Sequence, residues 1–238
     1  MFYIRPGQDR GHANFGWLDT WHSFSFGHYF DPGHMGFGPL RVINDDRIAP
    51  GGGFGEHGHR DMEIVTVVLE GKLAHKDSMG NGSAIGPAEV QRMTAGTGIR
   101  HSEFNGSETA PVHLLQIWLL PEAEGLTPGY EEKQIALEEG LNLLASRDAR
   151  DGSLLIHQQA DLYRGRLSDR ADEIYALKPG HAAYFHVISG NLKVNGVALG
   201  ETDGLGIEPQ QDSLNLTMNA AGDVDFLLFD MNIAEARP

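Results

Sequence analysis

The apolar runs of this chain are short, rich in β-branched residues and punctuated by turn formers. Ile64-Val65-Thr66-Val67-Val68-Leu69, inside Glu63–Glu70, is continuous yet too short for an ordinary helix, and it predicts a buried strand. Leu40-Arg41-Val42-Ile43-Asn44 predicts another strand, residues 90–93 a third, and residues 112–120 a fourth that closes a first unit at Pro121. Gly71-Lys72 turns the chain into Leu73–Asp77, and Asn81-Gly82 is a strong hairpin signal. The rhythm resumes after Ser153, with apolar runs at 184–188, 192–194 and 226–229, the first two followed by Gly190-Asn191 and Asn195-Gly196. Residues 136–145 predict a short helix. The Pro/Gly/Glu-rich stretch 121–129 marks a division after residue 125, giving halves 1–125 and 126–238. Two successive all-β halves of similar length predict a duplicated barrel.

Composition supports many strands joined by tight turns, with 31 glycines and 11 prolines among 238 residues. The absence of cysteine excludes disulfides and thiolate metal sites. Lys plus Arg total 18 against 33 Asp plus Glu, a formal charge of −15. Such a surface repels phosphate backbones and anionic lipid, so neither nucleic acid nor membrane is an expected partner. No apolar stretch approaches the ~20 residues that span a bilayer, and the first residues lack a signal-peptide run. A cytoplasmic location is the expectation.

The chemistry concentrates in two alternating pairs. His57-Gly58-His59 follows the glycine run 51–55, and His101-Ser102-Glu103 follows Gly96-Thr97-Gly98. Residues i and i+2 of a strand share a face, so two such pairs on facing strands aim three imidazoles and a carboxylate at one point. That donor set suits a divalent transition metal with coordination positions left open. Glu63 competes with Glu103 for the carboxylate place. It lies four residues beyond His59, about 14 Å along a straight strand, and so reaches the site only through a bend. Geometry prefers Glu103 and leaves Glu63 a role in orienting a ligand histidine. His75, His113, His157, His181 and His186 lack a comparable partner and read as core or surface histidines. His22 reads as aromatic packing with Trp21, Phe24 and Phe26, or as part of a pocket wall.

Gly51, His57, His59, Glu63 and Gly71 resemble the first cupin motif, and Gly98, His101 and Asn105 resemble a worn second motif with Gly96 where proline is usual. The stretch 94–103 resembles the pirin branch of that superfamily far more specifically. So do residues 11–26, 41–46, 75–81 and 116–118. The resemblance covers most of the chain and points to the bacterial pirin-like quercetin 2,3-dioxygenases. It implies an all-β bicupin, two jelly-roll-like β-barrels in one chain, with the metal in the first barrel only. The implied ligands are His57, His59, His101 and Glu103, with Glu63 outside the set. Gly58 departs from the usual proline, which should loosen the ligand strand.

The implied activity is cleavage of flavonols such as quercetin by O₂ at the 2,3 position with release of carbon monoxide. Glu103 would serve as ligand and general base together. Fe(II) stands first among the metals implied, and the donors also accept Zn, Mn, Co, Ni or Cu. The rival reading is a non-enzymatic, metal-dependent regulatory module of the pirin type that binds a protein partner.

Overall fold

The computed structural model describes residues 2–233, and among them the chain is almost entirely β. It forms two barrels, each made of one seven-stranded and one four-stranded sheet. In the first, strands Leu40–Ile48, Glu63–Glu70, Glu89–Thr94 and Val112–Leu119 lie in the large sheet. Gly53–His59, Leu73–Asp77 and Ile99–Asn105 lie in the small one. This is the bicupin architecture the sequence implies. The predicted helix is absent: residues 140–146 form the strand Gly140–Ser146, paired with Ala160–Leu167. Leu144 and Ala145 there are buried in the central core, so the apolar cluster packs as half of a sheet instead of as a helix face.

Alternation along the large sheet sorts side chains between two interiors. On Val112–Leu119, Leu115, Ile117 and Leu119 pack into a core shared with Leu162, Leu227 and Phe229 of the second barrel. The alternate Leu114, Gln116 and Trp118 face the inside of the first barrel. Val65 and Val67 join the shared core, whereas Ile64 and Val68 do not. The same rule places Asp45 at the junction between barrels and Asn44 and Asp46 in the first barrel's cavity.

Hydrogen bonding does not change sheets at the expected division after 125. Strand Gly129–Gln134 pairs with Glu89–Thr94 of the first barrel, and the N-terminal strand Phe2–Arg5 pairs with Gly204–Ile207 of the second. Where the cupin pattern expects proline, Gly96 adopts φ +47°, and a Cβ there would sit 2.0 Å from the Leu126 carbonyl oxygen. The connector crosses too closely for any side chain, which accounts for that departure in the motif.

Candidate metal centre and its cavity

His57 and His59 lie on strand Gly53–His59, His101 and Glu103 on Ile99–Asn105. These strands are antiparallel neighbours in one sheet, with His101 directly opposite His57. The two pairs thus meet side by side and not across facing strands, and a bulge between His101 and Glu103 resets the register so that Glu103 lies opposite Phe54. Ligand atoms of His57, His59 and His101 all lie within 4.8 Å of one another. Glu103 joins His101 in a second, overlapping group whose third member is His75.

The donors are poised for a cation. Both ring nitrogens of His101 and Oε1 of Glu103 are buried without a hydrogen-bond partner, a costly state unless something binds there. Burial, reinforced by the neighbouring imidazoles, lowers His101 to about 2 and His59 to about 4, so both present neutral nitrogens. Burial pushes Glu103 up to about 7, opposed first by the hydrogen bond from Gln116. Gln116 Nε2 donates to Glu103 Oε2 at 2.7 Å, and its Oε1 accepts from Trp118 Nε1 at 3.3 Å. Trp118 in turn stands edge-on to His59, ring centres 4.9 Å apart. This chain of contacts fixes the carboxylate and one imidazole from the opposite sheet. A transition metal therefore fits these residues: three imidazoles and one carboxyl group, with His101 and Glu103 already buried.

Glu63 is turned away. It shares the face of Val65 and Val67, accepts from Thr94 Oγ1 at 3.1 Å and from the His157 backbone N–H at 3.3 Å, and so ties the first barrel to the second. A bend does intervene, at Asp61 with φ +47°, but it carries the chain from the small sheet to the large one and leaves Glu63 at the junction between the barrels, which corrects its expected role in orienting a ligand histidine. His75 is buried, as a core histidine should be, but it lies behind the site. Its ring stacks on Tyr130 at 4.6 Å, its Nδ1 accepts from Gln91 Nε2 at 3.3 Å, and it lies 4.0 Å from Glu103 Oε1. Sequence spacing missed this. The available signal was the equal step from His75 to Asp77 and from His101 to Glu103 on two strands that pair antiparallel.

Gly58 has room for a side chain. A Cβ would meet nothing nearer than the Ile99 carbonyl oxygen at 3.7 Å, and its φ is not positive. Gly58→Ala is expected to keep the strand in place and stabilise the metal-free protein by about 0.4–1 kcal/mol by restricting the unfolded chain. A thermal melt checks this, and a lowered midpoint would show that the strand needs glycine.

The donors open onto a cavity of about 560 Å³ between the two sheets. Phe15, Phe26, Phe54 and Trp118 supply apolar walls, so the aromatic N-terminal segment does line a pocket. His22, whose Nδ1 donates to Asn44 Oδ1 at 2.7 Å, belongs to its polar floor together with Thr20, Asp46 and Gln116. A flat, largely apolar guest with a few polar atoms matches this lining. Among the described residues no helix is long and apolar enough to cross a membrane.

Comparison with known proteins agrees with the geometry. A family model described as Pirin matches residues 4–119, and one described as the quercetinase C-terminal cupin domain matches residues 143–231. Quercetin 2,3-dioxygenase of Escherichia coli K12 is 48% identical over 231 residues, 97% of this chain and 99% of that protein. The crystal structure of the E. coli bacterial pirin YhhW in complex with nickel(II) superposes with a TM-score of 0.93 at 48% identity, covering 97% of this chain and 99% of that one. The E. coli protein YhaK gives a TM-score of 0.75 at 30% identity over 93% of this chain and 97% of its own.

Proposed function

The chain belongs to the pirin family of the cupins, and on that premise we propose that it is a metal-dependent dioxygenase that opens flavonols such as quercetin at the 2,3 position. His57, His59, His101 and Glu103 would hold one divalent transition metal, Fe(II) by the implication of the family. The single observation that carries this reading is the set of buried, unpartnered donors of His101 and Glu103 beside His57 and His59, which together with Glu103 line an aromatic cavity. The nickel(II) complex of YhhW, 48% identical to this chain, supports metal binding.

When bound, the metal would lower the pKa of a chelating 3-hydroxyl and leave positions open beside it. The protein's own groups do the rest. Glu103, whose carboxyl burial raises to about 7, would accept the hydroxyl proton as ligand and general base together. Gln116, donating to Oε2, fixes the orientation of the carboxylate. Phe26 and Trp118, edge-on at 5.3 Å, form a wall against which the planar guest lies and from which water is displaced. Both atoms of O₂ enter the opened product, and carbon monoxide leaves from the former C3.

The test is turnover of quercetin by the Fe(II)-loaded protein in air, followed as loss of flavonol absorbance with carbon monoxide collected. Expected is a rate well above that of His57→Ala. No difference between the two would remove the dioxygenase reading and leave the regulatory one.

A further inference from the structure

One carboxyl group in the cavity has no part in the site described above. Asp46 lies on Leu40–Ile48, opposite Thr20 and Leu114 in its two neighbouring strands and one step beyond the row that places Asn44 beside Gln116. It is 2% exposed, lines the cavity, and its Oδ1 has no partner. Burial pushes it up to about 7, a hydrogen bond from Thr20 opposes this, and the charges of Asp45 and Glu103 add to it. The metal donors stand on the small sheet and Asp46 on the large one, so the cavity lies between them. A buried carboxyl oxygen left bare on the polar floor of an aromatic-walled cavity is an acceptor that a guest can satisfy.

We propose that Asp46 is a substrate-binding residue that accepts a hydrogen bond from a phenolic hydroxyl on the far side of the chelating edge, and so selects polyhydroxylated flavonols over those bearing the 3-hydroxyl alone. The proposal rests on the flavonol reading and deepens it. A site built to pair a hydroxyl rejects analogues lacking it, because the buried acceptor is then left unpaired. The aromatic walls, by contrast, grip both kinds of guest alike.

The experiment measures binding without air, by quenching of tryptophan fluorescence, which Trp118 at the cavity wall should dominate. Quercetin and 3-hydroxyflavone are titrated into the native protein, Asp46→Leu and Asp46→Asn, each checked for metal content and thermal midpoint. The native protein is expected to bind quercetin at least about tenfold more tightly than 3-hydroxyflavone. In Asp46→Leu that preference collapses, with quercetin weakened and 3-hydroxyflavone unchanged or tighter. Asp46→Asn, which keeps an oxygen acceptor, retains part of it. In air, the loss for quercetin should fall on KM and leave kcat nearly intact.

Equal affinity of the native protein for the two flavonols overturns the proposal without any variant. So does a parallel loss for both in Asp46→Leu, or a lowered melting point with unchanged preference, which would make Asp46 structural. Binding with this preference but no turnover would sink the dioxygenase reading and keep the Asp46 assignment. Failure to bind either flavonol removes both.

Discussion

His101→Ala is expected to leave purification essentially metal-free and to show no flavonol turnover above buffer. His101 is the member shared by both donor groups, and it sits at the centre, its ring 4.4 Å from that of His57 and 4.9 Å from that of His59. Loss of an outer partner of a ligand typically weakens metal binding 10–100-fold, and loss of the central ligand should exceed that. The effect on the metal-free protein should be far smaller. Both nitrogens of His101 are buried without a partner, so removing them relieves unpaired polar atoms while opening a small cavity. The two costs oppose each other at about 1–3 kcal/mol each. Elemental analysis and melts with and without added metal separate the effects. Retention of native metal content in this variant would dismantle the centre as drawn.

Asp45→Asn is expected to cost about 3–5 kcal/mol of stability, because it strips one partner from a buried charge cluster. Asp45 faces the junction between barrels, where it meets Arg10 at 3.4 Å and accepts from His113 Nε2 at 2.7 Å. Burial would raise its carboxyl, but the His113 hydrogen bond and the Arg10 charge outweigh that and hold it at about 2, below its ordinary 3.8. The unfolded chain therefore takes up this proton first. Stability from Asp45 is complete above pH 4 and is lost as pH falls towards 2, a loss of about 2–3 kcal/mol. His186, buried in the same region and lowered by that burial from 6.5 to about 3, adds a decline that begins below pH 6.5. Urea unfolding of native and variant protein across pH 2–7 checks both statements. The difference in stability between native and variant protein should shrink between pH 4 and 2, while both keep the decline below 6.5. A variant as stable as the native protein would mean that the cluster contributes nothing to joining the barrels.

The strand content and the two donor pairs were legible because period-2 patterns and glycine turns are local signals. Val65 and Val67 against Ile64 and Val68 could not be assigned to different interiors, since a strand buried on both faces shows one unbroken apolar run. For the same reason Glu63 looked like a candidate for the site. Only the packing of the sheet shows which interior the face it shares with Val65 meets. His75 and Asp46 were invisible as site residues because each is brought there by a partner distant in sequence: His75 by pairing opposite Glu103, Asp46 by lying on the wall opposite the histidines. The helix expected at 136–145 failed because its apolar residues answer to the neighbouring strand Ala160–Leu167, a long-range demand that local propensity does not contain.

The crossing of Gly129–Gln134 back onto the first barrel reaches further than connectivity. That segment carries Tyr130, whose hydroxyl bonds Gln91 Oε1 at 3.1 Å while its ring covers His75. Residues beyond the connector thus supply the rear buttress of a centre whose donors all precede it. A chain severed at 125 would shed that support and bare the backbone edge of Glu89–Thr94, so the second half is bound into the first one's architecture and is no detachable passenger.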